Sequence, residues 1–228
     1  MNIESRIREC QISLNQINYF DPDPYYVNYF FDLFIKSASQ VLDGIFEEAN
    51  DDFGLFMTNG CSKEKFLKKA TAKNDQNALE FAEWFEKKIK SEHKPPYPNF
   101  IKEMIDFQKR FSKLPKVKVM IRPNERYSKD TFLEIKVNLS NERLRSKEDL
   151  NIEIKRNVPI FLEIINRKRS SNNEPKVTEN KVRASAFMED GSGENFEISY
   201  ASELYIPVLK RIVKESRQKI KNASWKQF

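Results

Sequence analysis

Four carboxylates, Glu47, Glu48, Asp51 and Asp52, form an acidic cluster in this chain. The pairs 47/51 and 48/52 lie four residues apart, so each pair shares a face if the segment is helical. Oxygen-rich clusters of this kind can bind Mg2+ or Ca2+. The segment lacks the Asp-x-Asp-x-Asp-Gly spacing of a calcium loop, and acids near a helix end are often merely solvated. The sole histidine, His93, stands in the charged run Ser91-Glu92-His93-Lys94. One histidine supports no His-rich metal site, and no nucleophile elbow accompanies it. An exposed loop position is the expectation for it. Two cysteines, Cys10 and Cys61, make no disulfide framework in 228 residues; both are expected as reduced thiols, Cys10 in the core. With 5 Gly in the whole chain, a glycine-rich phosphate loop is not expected. No catalytic residue, metal ligand or cofactor is assigned on these grounds.

Basic residues form the other constellation. Residues 1–108 hold 13 basic and 18 acidic side chains, whereas residues 109–185 hold 20 and 10. That surplus can attract nucleic acid or an acidic protein, or can be a solvated surface balanced by the acidic front half. The candidate nucleic-acid-binding residues are Lys116, Lys118, Arg122 and Arg126, then Arg167, Lys168 and Arg169. Lys129, Arg143, Arg145, Lys147, Lys155 and Arg156 add to the same region, with Tyr127 and Phe132 interspersed. Cations neutralise phosphates, and aromatics on a sheet stack on bases. The aromatic-rich strand signature of the common RNA-binding sheet is missing, and lysines on strand edges also serve to block aggregation.

The elements that must position these residues change character along the chain. Ile3, Ile7, Cys10, Leu14 and Ile17 recur at helical spacing over residues 3–18, with Ile12 off the stripe. Asp21-Pro22-Asp23-Pro24 ends that helix, and Asp23 is placed to cap the next, with Pro24 at its first position. The second helix, about 25–50, is the longest and carries Val27, Phe30, Phe31, Phe34, Ala38, Val41, Leu42, Ile45 and Phe46 on its apolar stripe, with Gly44 suited to a close helix contact. Shorter helices follow over 62–73, 75–91 and 99–113. The period then drops from 3.6 to 2. Val117, Val119 and Ile121 alternate with Lys116, Lys118 and Met120, and like patterns over 132–139 and 150–155 predict half-buried strands with one wet face. Residues 160–165 fit strand or helix, and 181–187 fit a further strand. A last helix over 196–221 contains Pro207, which predicts a kink or a fresh start.

The front half also resembles a known family. Phe20-Asp21-Pro22-Asp23-Pro24-Tyr25, the long helix ending near Asn50-Asp51-Asp52-Phe53-Gly54-Leu55, the Glu80–Trp84 helix and Phe100–Arg110 look like helical domains of the HEPN type of archaea and bacteria. The resemblance implies an RNA-cleaving Arg-x(4–6)-His near a helix end. Arg110 stands at a matching place, but Lys116 follows where a His would be, and no such motif occurs in the chain. A non-catalytic binding or scaffold role is then implied.

The expectation is an α+β protein, one domain over 1–228. A bundle of about five helices, including the C-terminal one, carries an antiparallel β-sheet from the middle of the chain. Its subregions are 1–115 (helical), 116–187 (basic and β-rich) and 188–228 (a C-terminal helix packing back on the bundle). The leading function is a non-enzymatic interaction protein that binds nucleic acid through the basic region. The alternatives are a divalent-metal-dependent or degenerate HEPN-like nuclease using Glu47, Glu48, Asp51 and Asp52 or Arg110, and a homo-oligomeric assembly protein. The charged N-terminal ten residues lack the apolar run of a signal peptide, and no stretch predicts a membrane span, so a cytoplasmic protein without a membrane partner is expected.

Overall fold

The computed structural model describes residues 2–57, 60–124, 132–135 and 147–224. Seven α-helices and four strands lie among them: α1 (Ile3–Phe20), α2 (Pro24–Asp52), α3 (Lys63–Lys73), α4 (Gln76–Glu92), α5 (Tyr97–Phe111), β1 (Lys118–Pro123), β2 (Leu133–Ile135), α6 (Lys147–Ser171), β3 (Val182–Glu189), β4 (Asn195–Glu197) and α7 (Ile198–Ser224). The protein is thus α+β, with more helices than the five expected. The described residues group into two compact units. One, helical, draws on 1–15, 31–114 and 200–228, and the other, mixed, on 16–30 and 115–199.

The helical unit follows its sequence stripes. In α1, Ile3 and Cys10 are buried while off-stripe Ile12 is exposed. In α2, Phe31, Phe34, Ala38, Val41, Ile45 and Ala49 are fully buried. Gly44 lets α1 approach, because a Cβ there would stand 3.0 Å from Ile3 Cγ1. Caps set the boundaries: the Ser62 hydroxyl accepts from the Lys65 N–H, and the Asp75 carboxylate from the Ala78 N–H. Phe46, Phe53, Phe66, Phe81 and Phe85 form one aromatic cluster, with ring centroids 4.8–6.3 Å apart. Burying each phenylalanine is worth about 1.5–3 kcal/mol. The C-terminal helix α7 joins this unit through Ala201, Tyr205, Leu209, Ile212 and Ile220, and Arg217 grips Glu48 (2.6 and 2.8 Å) and Glu4. Helix α7 runs through Pro207 as one helix, so no fresh start occurs there. Pro207 is exposed, so its ring stands on the solvent side of the helix.

The mixed unit is a four-stranded antiparallel sheet in the order β2-β1-β3-β4 with α6 across one face. Register places Val119 opposite Ile135 and Ala186, and Ile121 opposite Leu133 and Ala184. Val119, Ile121, Leu133, Ile135 and Ala184 form one core cluster with Leu150, Ile154, Val158, Phe161 and Ile165 of α6.

Two expectations are corrected here. Residues 150–155, expected as strand, are helix, and 160–165, which fit either, are helix too. Leu150 and Ile154 satisfy alternation and also the i, i+4 spacing of a helix, and only the longer run 150, 154, 158, 161, 165 shows which period governs. Ile152, which a strand would have buried beside them, is 47% exposed. The sheet's second face is not wet either, since Met120, Arg122, Ser185 and Phe187 are buried. Of the expected strand 132–139, residues 133–135 are strand and 136–139 lie outside the described residues. Among the described residues, no helix is long and apolar enough to cross a membrane.

Candidate nucleic-acid interface

The sequence cannot tell a cation that faces solvent from one that holds the fold together; the structure separates them. Lys116 is exposed just ahead of β1. Lys118 points from the sheet face opposite α6 and ion-pairs with Glu189, which raises its pKa. Arg122, on the same face, is 3% exposed. Its Nη2 lies 2.7 and 2.9 Å from the two Glu197 carboxylate oxygens, and its Nη1 donates to the Pro123 carbonyl at 2.7 Å. Arg183 binds the same carboxylate, and the Ser199 hydroxyl donates to it at 3.2 Å. Arg122 therefore serves the sheet and presents no charge to a phosphate. Arg126, with Lys129, Arg143, Arg145 and Tyr127, lies outside the described residues.

Asp21 belongs to the same unit. Its carboxylate accepts the Ala186 N–H at 2.6 Å, on the β3 edge beyond the last β4 pairing. Burial pushes its pKa up to about 6; the Ala186 N–H and the Arg183 charge oppose this, and the Glu197 charge adds to it.

The remaining candidates gather at the end of α6. Arg167 is exposed and pairs with Glu163 one turn back at 2.8 Å. Lys168 is exposed. Arg169 turns inward: its Nη1 donates to the Pro175 carbonyl at 3.3 Å, while Glu174 stands 3.8 Å from its Nε. Together with Lys176 and Lys181 it lines a hollow of about 50 Å3, walled by Pro123, Pro175 and Val177. That volume suits a phosphate group rather than a whole nucleotide. The α6 C-terminal turn and the 3-10 turn Glu179–Lys181 bring these cations together. Lys176 and Lys181 were not picked out as site residues from sequence. The available signal was a pair of basic clusters flanking the turn-forming Asn172-Asn173-Glu174-Pro175, which folds one back on the other.

The acidic candidates do not converge. Glu48 is occupied by Arg217, and Asp51 accepts from the Asn50 side chain at 3.0 Å. Among the described residues, no group of three or more His, Cys, Asp or Glu side chains could hold a metal ion. His93 is buried, contrary to the exposed position expected. Its Nδ1 lies 2.8 Å from the Ile89 carbonyl and its Nε2 2.7 Å from the Tyr205 hydroxyl. The carbonyl can only accept, so Nδ1 carries the proton, and Nε2 accepts from Tyr205. Burial lowers the His93 pKa, so the ring stays neutral with both nitrogens engaged. Arg110 is exposed in the last turn of α5. Both cysteines are buried and unlinked, and burial pushes each thiol up to about 12. Comparison of the chain with protein-family models, with curated proteins and with solved structures finds no match in any of the three.

Proposed function

We propose that this chain is a non-enzymatic nucleic-acid-binding protein that holds backbone phosphate at the basic end of α6. The observation that carries the reading is the convergence of Arg169, Lys176 and Lys181 on one phosphate-sized hollow, with Arg167 and Lys168 exposed on the same helix end. The guanidinium of Arg169 is partly buried and held by a backbone carbonyl, so little is lost in ordering it around an anion. The missing Arg-x(4–6)-His and the engaged ring of His93 favour binding over cleavage, in line with the non-catalytic role that the HEPN resemblance implies.

Fluorescence anisotropy with labelled single- and double-stranded RNA and DNA across a salt series tests this. Affinity should fall steeply with salt, and the double variant Arg169→Gln/Lys176→Gln should flatten the slope of log K against log salt by about two. Absence of binding at low salt, or an unchanged slope in the double variant, would overturn the proposal.

A further inference from the structure

A second basic surface lies in the helical unit, distant in sequence from the first. Trp84 of α4 and Lys210, Lys214, Gln218, Lys219 and Asn222 of α7 line a groove of about 710 Å3. The groove is open to solvent, with room for a small organic ligand laid along it.

The groove's charges divide into two groups. Of the lining charges, Arg211 and Glu215 are paired: Arg211 makes a two-pronged contact with Glu92 (2.9 and 2.6 Å), and Glu215 binds Lys88 at 2.7 Å, while Lys88 also binds Glu92 at 2.6 Å. Chiefly through Arg211, this holds the Glu92 carboxyl down at about 2. Two cations against two carboxylates leave this network electrically balanced. Lys210, Lys214 and Lys219 have no carboxylate partner among the described residues. Three surplus positive charges therefore border the space, and Lys210 and Lys214, four apart on α7, project from one helix face.

The remaining lining is aromatic and amide. Trp84 is half-buried and stacks on Phe81 at 6.0 Å and 30°, which fixes its ring. Gln218 and Asn222 each offer an amide donor and acceptor, as the edge of a base requires. A fixed indole beside clustered cations suits a planar aromatic group bearing phosphate.

We propose that this groove binds an unpaired nucleobase with its attached phosphates, the base stacked on Trp84 and the phosphates on Lys210, Lys214 and Lys219. A free nucleoside polyphosphate and a single-stranded nucleic acid share this chemistry. A duplex does not, because its base faces are already stacked.

The chain has two tryptophans, Trp84 and Trp225, so Trp225→Phe makes Trp84 the sole reporter. Its fluorescence is followed in the full chain during titration with ADP, with a single-stranded DNA oligonucleotide, and with inorganic tripolyphosphate. Saturable quenching is expected with ADP, identifying a free nucleotide, or with the oligonucleotide alone, identifying a strand. Lys210→Gln and Lys214→Gln, both at exposed positions, should each weaken the response severalfold. Restoring Trp225 and replacing Trp84 by Phe should lower affinity about tenfold when binding is read by calorimetry. Trp84 lies in the groove and the α6 hollow has no tryptophan in its lining, so failure of the α6 hollow does not pass for failure of the groove. The proposal is overturned if neither ADP nor the oligonucleotide alters the fluorescence at low salt. Equal quenching by tripolyphosphate, or indifference to both lysine substitutions, would also overturn it.

Discussion

The buried cluster on the sheet's second face makes an asymmetric prediction. One carboxylate, Glu197, serves two guanidinium groups, Arg122 and Arg183. Replacing Glu197 by Gln leaves Arg122, which is 3% exposed, as a buried charge facing a second positive charge. Breaking a buried pair from one side costs about 3–5 kcal/mol, and the second stranded arginine places this variant at the upper end. Replacing Arg122 by Met removes the most deeply buried cation and leaves Glu197 with Arg183 and the Ser199 hydroxyl. The methionine also fills part of the vacated space, so the cost should be about 1–2 kcal/mol. Adding Arg122→Met to Glu197→Gln should then recover stability, because it removes the buried charge that a neutral amide cannot balance. Urea denaturation followed by far-UV circular dichroism at pH 7.5 gives the three differences. If Arg122→Met costs as much as Glu197→Gln, or if the double variant is less stable than Glu197→Gln alone, the shared-carboxylate reasoning fails.

Two titrating groups bias stability in opposite directions. Asp21 has its pKa raised to about 6 in the fold, so its contribution is full below the unfolded value near 4 and is lost as pH rises through 6. Asp21→Asn keeps an acceptor for the Ala186 N–H without the charge, and should stabilise the protein by about 2 kcal/mol at pH 7.5 with little effect at pH 4; a loss of stability at pH 7.5 would contradict this. His93 has its pKa lowered by burial, so its contribution is present above about 6.5 and is lost as pH falls. Tyr205→Phe removes the hydroxyl that donates to His93 Nε2 and should cost about 1–3 kcal/mol at pH 7.5, read from urea midpoints; a cost near zero would mean that the hydrogen bond carries no weight.

Where local rules suffice, the fold can be read from the residues. Asp23 accepts the N–H groups of Tyr25 and Tyr26 at the start of α2, as the Asp-Pro spacing predicts, and Gly44 makes the close helix approach its size permits. Reading fails where the deciding interaction joins distant positions. Glu48 looks like half of a metal-binding pair until Arg217 is placed beside it, 169 residues on. His93 looks like a loop residue because its partner Tyr205 is 112 residues away. Helix α6 is misread for a different reason: over six residues, alternation and an i, i+4 pair coincide, and a sheet on only one side of the helix leaves Ile152, Ile160 and Ile164 outside.

The candidate interface shows the same limit in its charges. By sequence, Arg122 and Arg169 are equivalent members of one basic region, and removing either would subtract one cation from the field that attracts a polyanion. The fold places Arg122 inside the sheet, its charge cancelled by Glu197 and its guanidinium shut off from solvent. Arg169 instead borders an open hollow with Lys176 and Lys181. Salt dependence counts only cations that displace counterions from phosphates. Arg122→Met should therefore leave the slope of log K against log salt unchanged once affinity is expressed per folded molecule, whereas Arg169→Gln should reduce it by about one. Equal slopes for the two variants would mean that the long-range field of the basic region, rather than contact at the α6 end, governs binding.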